Sequence, residues 1–81
     1  MKVSIYSLKK ILFQGEAELF NCRTLVGEIT VLNNHEPLIE VITEGVIKVV
    51  DNGKQERFFP VKSGFLEVRY GNILNSIIEE Q

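Results

Sequence analysis

The stretch VIKVVDNGKQERFF, Val46 to Phe59, carries two runs rich in β-branched and aromatic residues on either side of the turn formers Asp51-Asn52-Gly53. Lys48 sits between Ile47 and Val49, so side chains with a period of two fall on opposite faces, and each run reads as a half-buried strand. The join reads as a hairpin. A two-residue Asn52-Gly53 loop would set Lys48 opposite Arg57, whereas a three-residue Asp51-Asn52-Gly53 loop would set Lys48 opposite Glu56. Like charges facing each other across a strand pair are destabilising, and the longer loop uses a glycine in the left-handed position. The three-residue loop, with Lys48 opposite Glu56, is the expectation.

Working outward, the same period of two recurs along the chain and helical spacing is nowhere sustained. Short strands are expected at Lys2–Tyr6, Leu12–Phe13, Ala17–Arg23, Glu28–Leu32, Leu38–Ile42, Gly45–Val50, Gln55–Pro60, Phe65–Arg69 and Ile73–Ile78. Turn formers punctuate them at Gly15, Gly27, Asn33-Asn34, Gly45, Ser63-Gly64 and Gly71-Asn72, the last being a second hairpin turn. Many short strands without intervening helices read as an all-β fold, an antiparallel β-sandwich or flattened barrel of about ten short strands. Length and even composition give one domain over residues 1–81.

The bulk numbers exclude several function classes. The chain is 44% hydrophobic and 25% charged, an ordinary globular balance. Nine basic and eleven acidic residues are interspersed for a net charge of −2, a poor footprint for nucleic acid or for polybasic membrane attachment. No apolar run approaches the length of a membrane-spanning helix, and MKVSIYSLKKILF lacks the continuous stretch of a signal peptide. The single cysteine, Cys22, forms no internal disulfide and suits a reducing compartment, so a cytosolic protein is expected.

Candidate chemistry is sparse. His35 is the only imidazole, and a nucleophilic site needs a base oriented by a third group. Cys22 lies in an alternating run and reads as a small buried hydrophobe. One His and one Cys fall short of a zinc ligand set, and Glu28, Glu36, Glu40 and Glu44 are not forced together by local geometry. No Gly-x-Gly-x-x-Gly or Gly-Lys-Ser/Thr phosphate cradle is present. Catalytic residues, metal and cofactors are therefore expected to be none. Phe58, Phe59 and Phe65 could form a base-stacking platform, but without clustered positive charge they read as core. Lys54, just past a hairpin tip, suggests a biotinyl- or lipoyl-type carrier as an alternative; its flanks, Asn52-Gly53-Lys54-Gln55, lack the Met-Lys-Met or Asp-Lys-Ala surroundings of such domains.

Read in order, LFQGEAELFNCRT, GEITVLNNHEPL, EGVIKV and SGFLEVRYGN resemble the amino-terminal domain of the epsilon subunit of F-type ATP synthase, over Val3 to Ile78. The family shows a Phe-x-Gly-x-Val/Ala-Glu stretch like Phe13 to Glu18, a Gly-Glu-x-Gly-Ile/Val-Leu-Pro-Gly-His-Ala-Pro-Leu loop like Gly27 to Leu38, and a Gly-Phe-Leu-Glu-Val strand like Gly64 to Val68. Departures are Thr30 for a glycine, Asn33-Asn34 for Pro-Gly, Glu36 for alanine, and Lys62-Ser63-Gly64 for Ser-Gly-Gly. Asn is the least costly ordinary residue if the glycine position takes positive φ.

The resemblance implies a non-catalytic rotor subunit of the central stalk in a proton- or sodium-translocating enzyme. It would be clamped on the gamma subunit and rest on the membrane c-ring, peripheral at the cytoplasmic face of the bacterial inner membrane. It carries Gly27, Glu28 and Ile29 over as the c-ring contact, and His35, Pro37 and Leu38 as the gamma contact. His35 then reads as a docking and hydrogen-bonding residue rather than a catalyst; a turn histidine bonded only within its own domain stays open. Typical relatives continue into a helical hairpin bearing the inhibitory arm, whereas this chain stops at Ile78-Glu79-Glu80-Gln81, so inhibition and ATP sensing are not carried over.

Overall fold

A computed structural model describes residues 1–81. It contains seven strands: β1 (Lys2–Tyr6), β2 (Ile11–Thr24), β3 (Gly27–Leu32), β4 (Leu38–Ile42), β5 (Gly45–Asp51), β6 (Glu56–Arg69) and β7 (Ile73–Glu80). The all-β class is as the alternation predicts, but the count is lower because β2 and β6 are each one strand of 14 residues where two short strands are expected. Gly15 and Ser63-Gly64, expected as turns, lie within these strands without ending them.

Each long strand serves both layers of a sandwich. The first layer runs from the early half of β2 through β1, β7 and the late half of β6 to β4. The second runs from β3 through the late half of β2 and β5 to the early half of β6. A single rung, Thr24 with Ile42, joins the layers at the corner where β4 meets β2. One pair departs from antiparallel order: β1 runs parallel to β7, Lys2 beside Ile73 through Tyr6 beside Ile77.

The crossings between layers use bulges. Register shifts lie between Ala17 and Leu19 in β2 and between Val61 and Ser63 in β6. Buried residues in β2 pass from Ala17 to Phe20, Cys22 and Thr24, and in β6 from Val61 to Leu66 and Val68. An extra residue at each bulge flips the alternation, so a strand can leave one sheet and enter the other with its apolar side still inward. The core gathers Val3, Ile5, Phe20, Val31, Ile42, Ile47, Val49, Leu66, Leu74 and Ile78 between the layers. Ser76, buried on β7, donates its hydroxyl to the Phe65 carbonyl at 3.0 Å, and no buried side-chain polar atom lacks a partner.

The register of the β5–β6 hairpin differs from the expected one. Val50 pairs with Glu56 and Lys48 with Phe58; Glu56 sits diagonally from Lys48, and their charges approach to 3.7 Å. The cause is the Asp51 side chain, whose Oδ1 accepts the amides of Gly53 at 2.9 Å and Gln55 at 3.0 Å. This fixes Asp51 as the first residue of the turn, with the Lys54 amide bonded to the Asp51 carbonyl at 2.9 Å. The loop is three residues long but slides one place on, and Lys54, at φ 69°, takes the left-handed position expected for Gly53. The second hairpin turns as read, with Gly71 at φ 92° and Asn72 at φ 62°.

Candidate docking surface

Gly27, Glu28 and Ile29 open β3, opposite Thr24, Arg23 and Cys22 of β2. Gly27 has φ 112°, a conformation L side chains rarely adopt, and a Cβ there would meet nothing within 4 Å, so its freedom serves the turn rather than a close approach. Thr24 shapes this end: its hydroxyl donates to the Gly27 carbonyl at 2.7 Å and accepts the Val26 amide at 3.2 Å. The tip so formed presents Leu25 and Val26 at 72% and 75% exposure, with Glu28 exposed beside them. Ile29 packs against the core.

His35 and Pro37 lie beyond the other end of β3, in the loop that leads into β4, and Leu38 opens β4 half-buried against the core. His35 is exposed, and its Nδ1–H donates to the Glu36 carbonyl at 2.7 Å, leaving Nε2 for solvent or a partner. A shallow groove separates this loop from the β6–β7 turn, lined by Asn34, His35, Glu36 and Pro37 on one side and Arg69 to Asn72 on the other. Pro37, Leu38, Ile39 and Tyr70 continue it along β4. Asn34 has φ 62°, the left-handed conformation expected where Asn stands for glycine. The six carried-over residues thus form two clusters separated by the length of β3, about 20 Å at the rise of an extended strand.

The outer face of the first layer was not legible as a site. Strand register places Val41, Phe65, Ile77, Tyr6 and Ile11 side by side across β4, β6, β7, β1 and β2. Phe65 and Ile77 are 61% and 55% exposed, and Leu8 closes an apolar groove with them. The signal was in LIEVI, Leu38 to Ile42, where apolar residues occupy both faces of the strand. That pattern belongs to a strand covered on both sides.

The chemistry-bearing groups stay apart. Cys22 is buried, and burial, reinforced by the charge of Glu40, pushes its thiol up to about 12. The Asp51 carboxyl is held below its ordinary value, chiefly by the hydrogen bond from the Gln55 amide. Lys54 Nζ is gripped by both carboxylate oxygens of Glu18 at 2.9 Å, tethered to β2. No three His, Cys, Asp or Glu side chains converge where they could hold a metal. There is no helix long and apolar enough to cross a membrane.

Comparison with known proteins agrees with this architecture. Residues 1–74 match the family described as the ATP synthase, Delta/Epsilon chain, beta-sandwich domain. An ATP synthase epsilon chain of Brevibacillus brevis is 32% identical over 69 residues, covering 85% of this chain and 52% of that protein. One of Clostridium novyi is 37% identical over 68 residues, covering 83% and 51%. The chain spans about half the length of these curated relatives. Among solved structures, a chain of the Euglena gracilis mitochondrial ATP synthase superposes with TM-score 0.88 at 19% identity, covering 94% of this chain and 48% of that one. A chain of the Tetrahymena thermophila central stalk and c-ring gives 0.84 at 14%, covering 99% and 63%. At those identities the likeness speaks for the fold alone.

Proposed function

Because the chain belongs to the ATP synthase delta/epsilon β-sandwich family, we propose that it is a non-catalytic rotor module of an F-type ATP synthase that docks on the gamma subunit and the c-ring. The observation that carries this reading is the apolar row Val41, Phe65, Ile77, Tyr6 and Ile11 on one face of the sandwich, exposed throughout except for half-buried Tyr6. A monomer that leaves a contiguous apolar patch in water has a partner for it. The row gives the gamma subunit a broad, flat seat, extended by His35 and Pro37 at the rim, with Leu38 half-buried against the core behind them. Gly27, Glu28 and Ile29, with the Leu25-Val26 tip, face the c-ring. On this reading the protein sits peripherally at the cytoplasmic face of a bacterial inner membrane, held there by its partners.

The mechanism is mechanical. Torque passes through a body that must not shear, and a double layer cross-linked by two bent strands resists sliding of one sheet over the other. The test is co-expression with gamma followed by native mass measurement. One stable complex is expected; Phe65→Asp, which alters an outward side chain, should lower the affinity at least about tenfold while leaving the fold intact. Elution as two separate species from the unaltered chains overturns the reading.

A further inference from the structure

The loop that carries His35 is not shaped by its own residues alone. Asn72, at the β6–β7 turn, accepts the Asn34 amide on its Oδ1 at 2.7 Å, and its Nδ2 donates to Asn33 Oδ1 at 3.4 Å. Its backbone carbonyl accepts the Lys2 amide at 2.9 Å. One carboxamide therefore spans the gap between two loops far apart in sequence and satisfies a backbone donor of one of them. Both Asn34 and Asn72 occupy the left-handed region, which few residues other than glycine enter readily. No turn residue between Leu32 and Leu38 contributes a second side-chain bond to the Asn34 amide, so Asn72 is the one side chain that holds that N–H, while the N-terminal ammonium of Met1 also donates to Asn33 Oδ1 beside it.

We propose that Asn72 is a positioning residue for partner binding: its side chain clasps Asn33-Asn34 and presets the conformation in which His35, Pro37 and Leu38 are offered to a protein partner. The proposal rests on the reading of that loop as part of the gamma contact. The physical reasoning is preorganisation. A loop already held in its bound shape loses less conformational freedom on association, and affinity rises without any new contact across the interface. Asn72 itself need touch no partner.

The test separates clasp from interface. Asn72→Gly deletes the carboxamide while keeping a residue that adopts φ 62° freely, so the turn survives. Asn72→Asp keeps an oxygen acceptor for the Asn34 amide and removes the donor to Asn33. Hydrogen exchange of the free 81-residue chain, followed by NMR, is expected to show the Asn34 amide exchanging at least tenfold faster in Asn72→Gly, close to the wild-type rate in Asn72→Asp, and unchanged protection in β5 and β6 in both. Titration with purified gamma should show at least a fivefold loss of affinity in Asn72→Gly with an unchanged denaturation midpoint. Unaltered Asn34 exchange in Asn72→Gly, or equal loss of protection in both variants, overturns the clasp. Faster exchange with undiminished affinity overturns its role in binding. If wild type binds no gamma, the functional reading falls, and with it the positioning role, while the exchange measurements still decide whether the clasp exists.

Discussion

Gly64 is the residue at which the smallest change should cost most. It faces Ile78 across the β6–β7 pair, and a Cβ there would stand 2.5 Å from the Ile77 carbonyl oxygen and 3.0 Å from the Ile78 Cα, both backbone atoms that cannot swing aside. Gly64→Ala is expected to cost about 2–4 kcal/mol by forcing the sheet apart. Gly53→Ala, whose nearest neighbour is Asp51 Oδ1 at 3.3 Å, asks that oxygen to shift by only a few tenths of an ångström while it holds two amides, and should cost about 0.5–1 kcal/mol. Chemical denaturation of the two variants decides between them. Cys22 gives a second expectation. Its thiol, which ionises near 9.0 when free, is raised to about 12 in the folded chain. Folding disfavours the thiolate, so the contribution of this group is constant below pH 9.0 and declines as pH rises toward 12. Cys22→Ala should flatten that decline in stability measured against pH. Alkylation at pH 8 should proceed only as fast as the core opens.

At the level of elements, the β5–β6 hairpin shows how a side chain can overrule a turn glycine. Lys54 holds the left-handed position, so a β-branched residue there is strained: Lys54→Val should cost about 1–2 kcal/mol. Lys54→Gly should change stability by less than about 0.5 kcal/mol, because relief of strain offsets the exposed bond to Glu18. Thermal melts of the pair test the register directly. The sequence made the strands legible, since alternation marks an inward face wherever it is kept. It did not make the bends legible. A bulge hides in sequence as a flipped phase, from Ala17 to Phe20 and from Val61 to Leu66, and local reading takes that flip for a break. The Asp51 register turns on a local choice, a side chain accepting two nearby amides in competition with the turn preference of Gly53, whereas the parallel β1–β7 pair and the Asn72 clasp depend on distant pairing that no window of neighbours contains. Of the candidate site, Gly27, Glu28 and Ile29 and then His35, Pro37 and Leu38 are expectations of the family resemblance alone, whereas the Phe65 row needed the register of five strands.

On the scale of the whole molecule, an interface built on that row should behave as an apolar one. Association with gamma is expected to show a negative heat-capacity change in calorimetry and to survive about 1 M salt, where exposed charge pairs are screened beyond about 3 Å. Affinity that collapses with salt would place the contact on charged residues instead. One feature of the topology reaches further. β1 is hydrogen-bonded on one side to β2 and on the other to β7, its last-made neighbour, Lys2 lying beside Ile73. During synthesis β1 leaves the ribosome before β7, with half its amides unmatched until that distant partner follows and the seam can zip. Until then its bare margin is open to pairing with any stray extended segment.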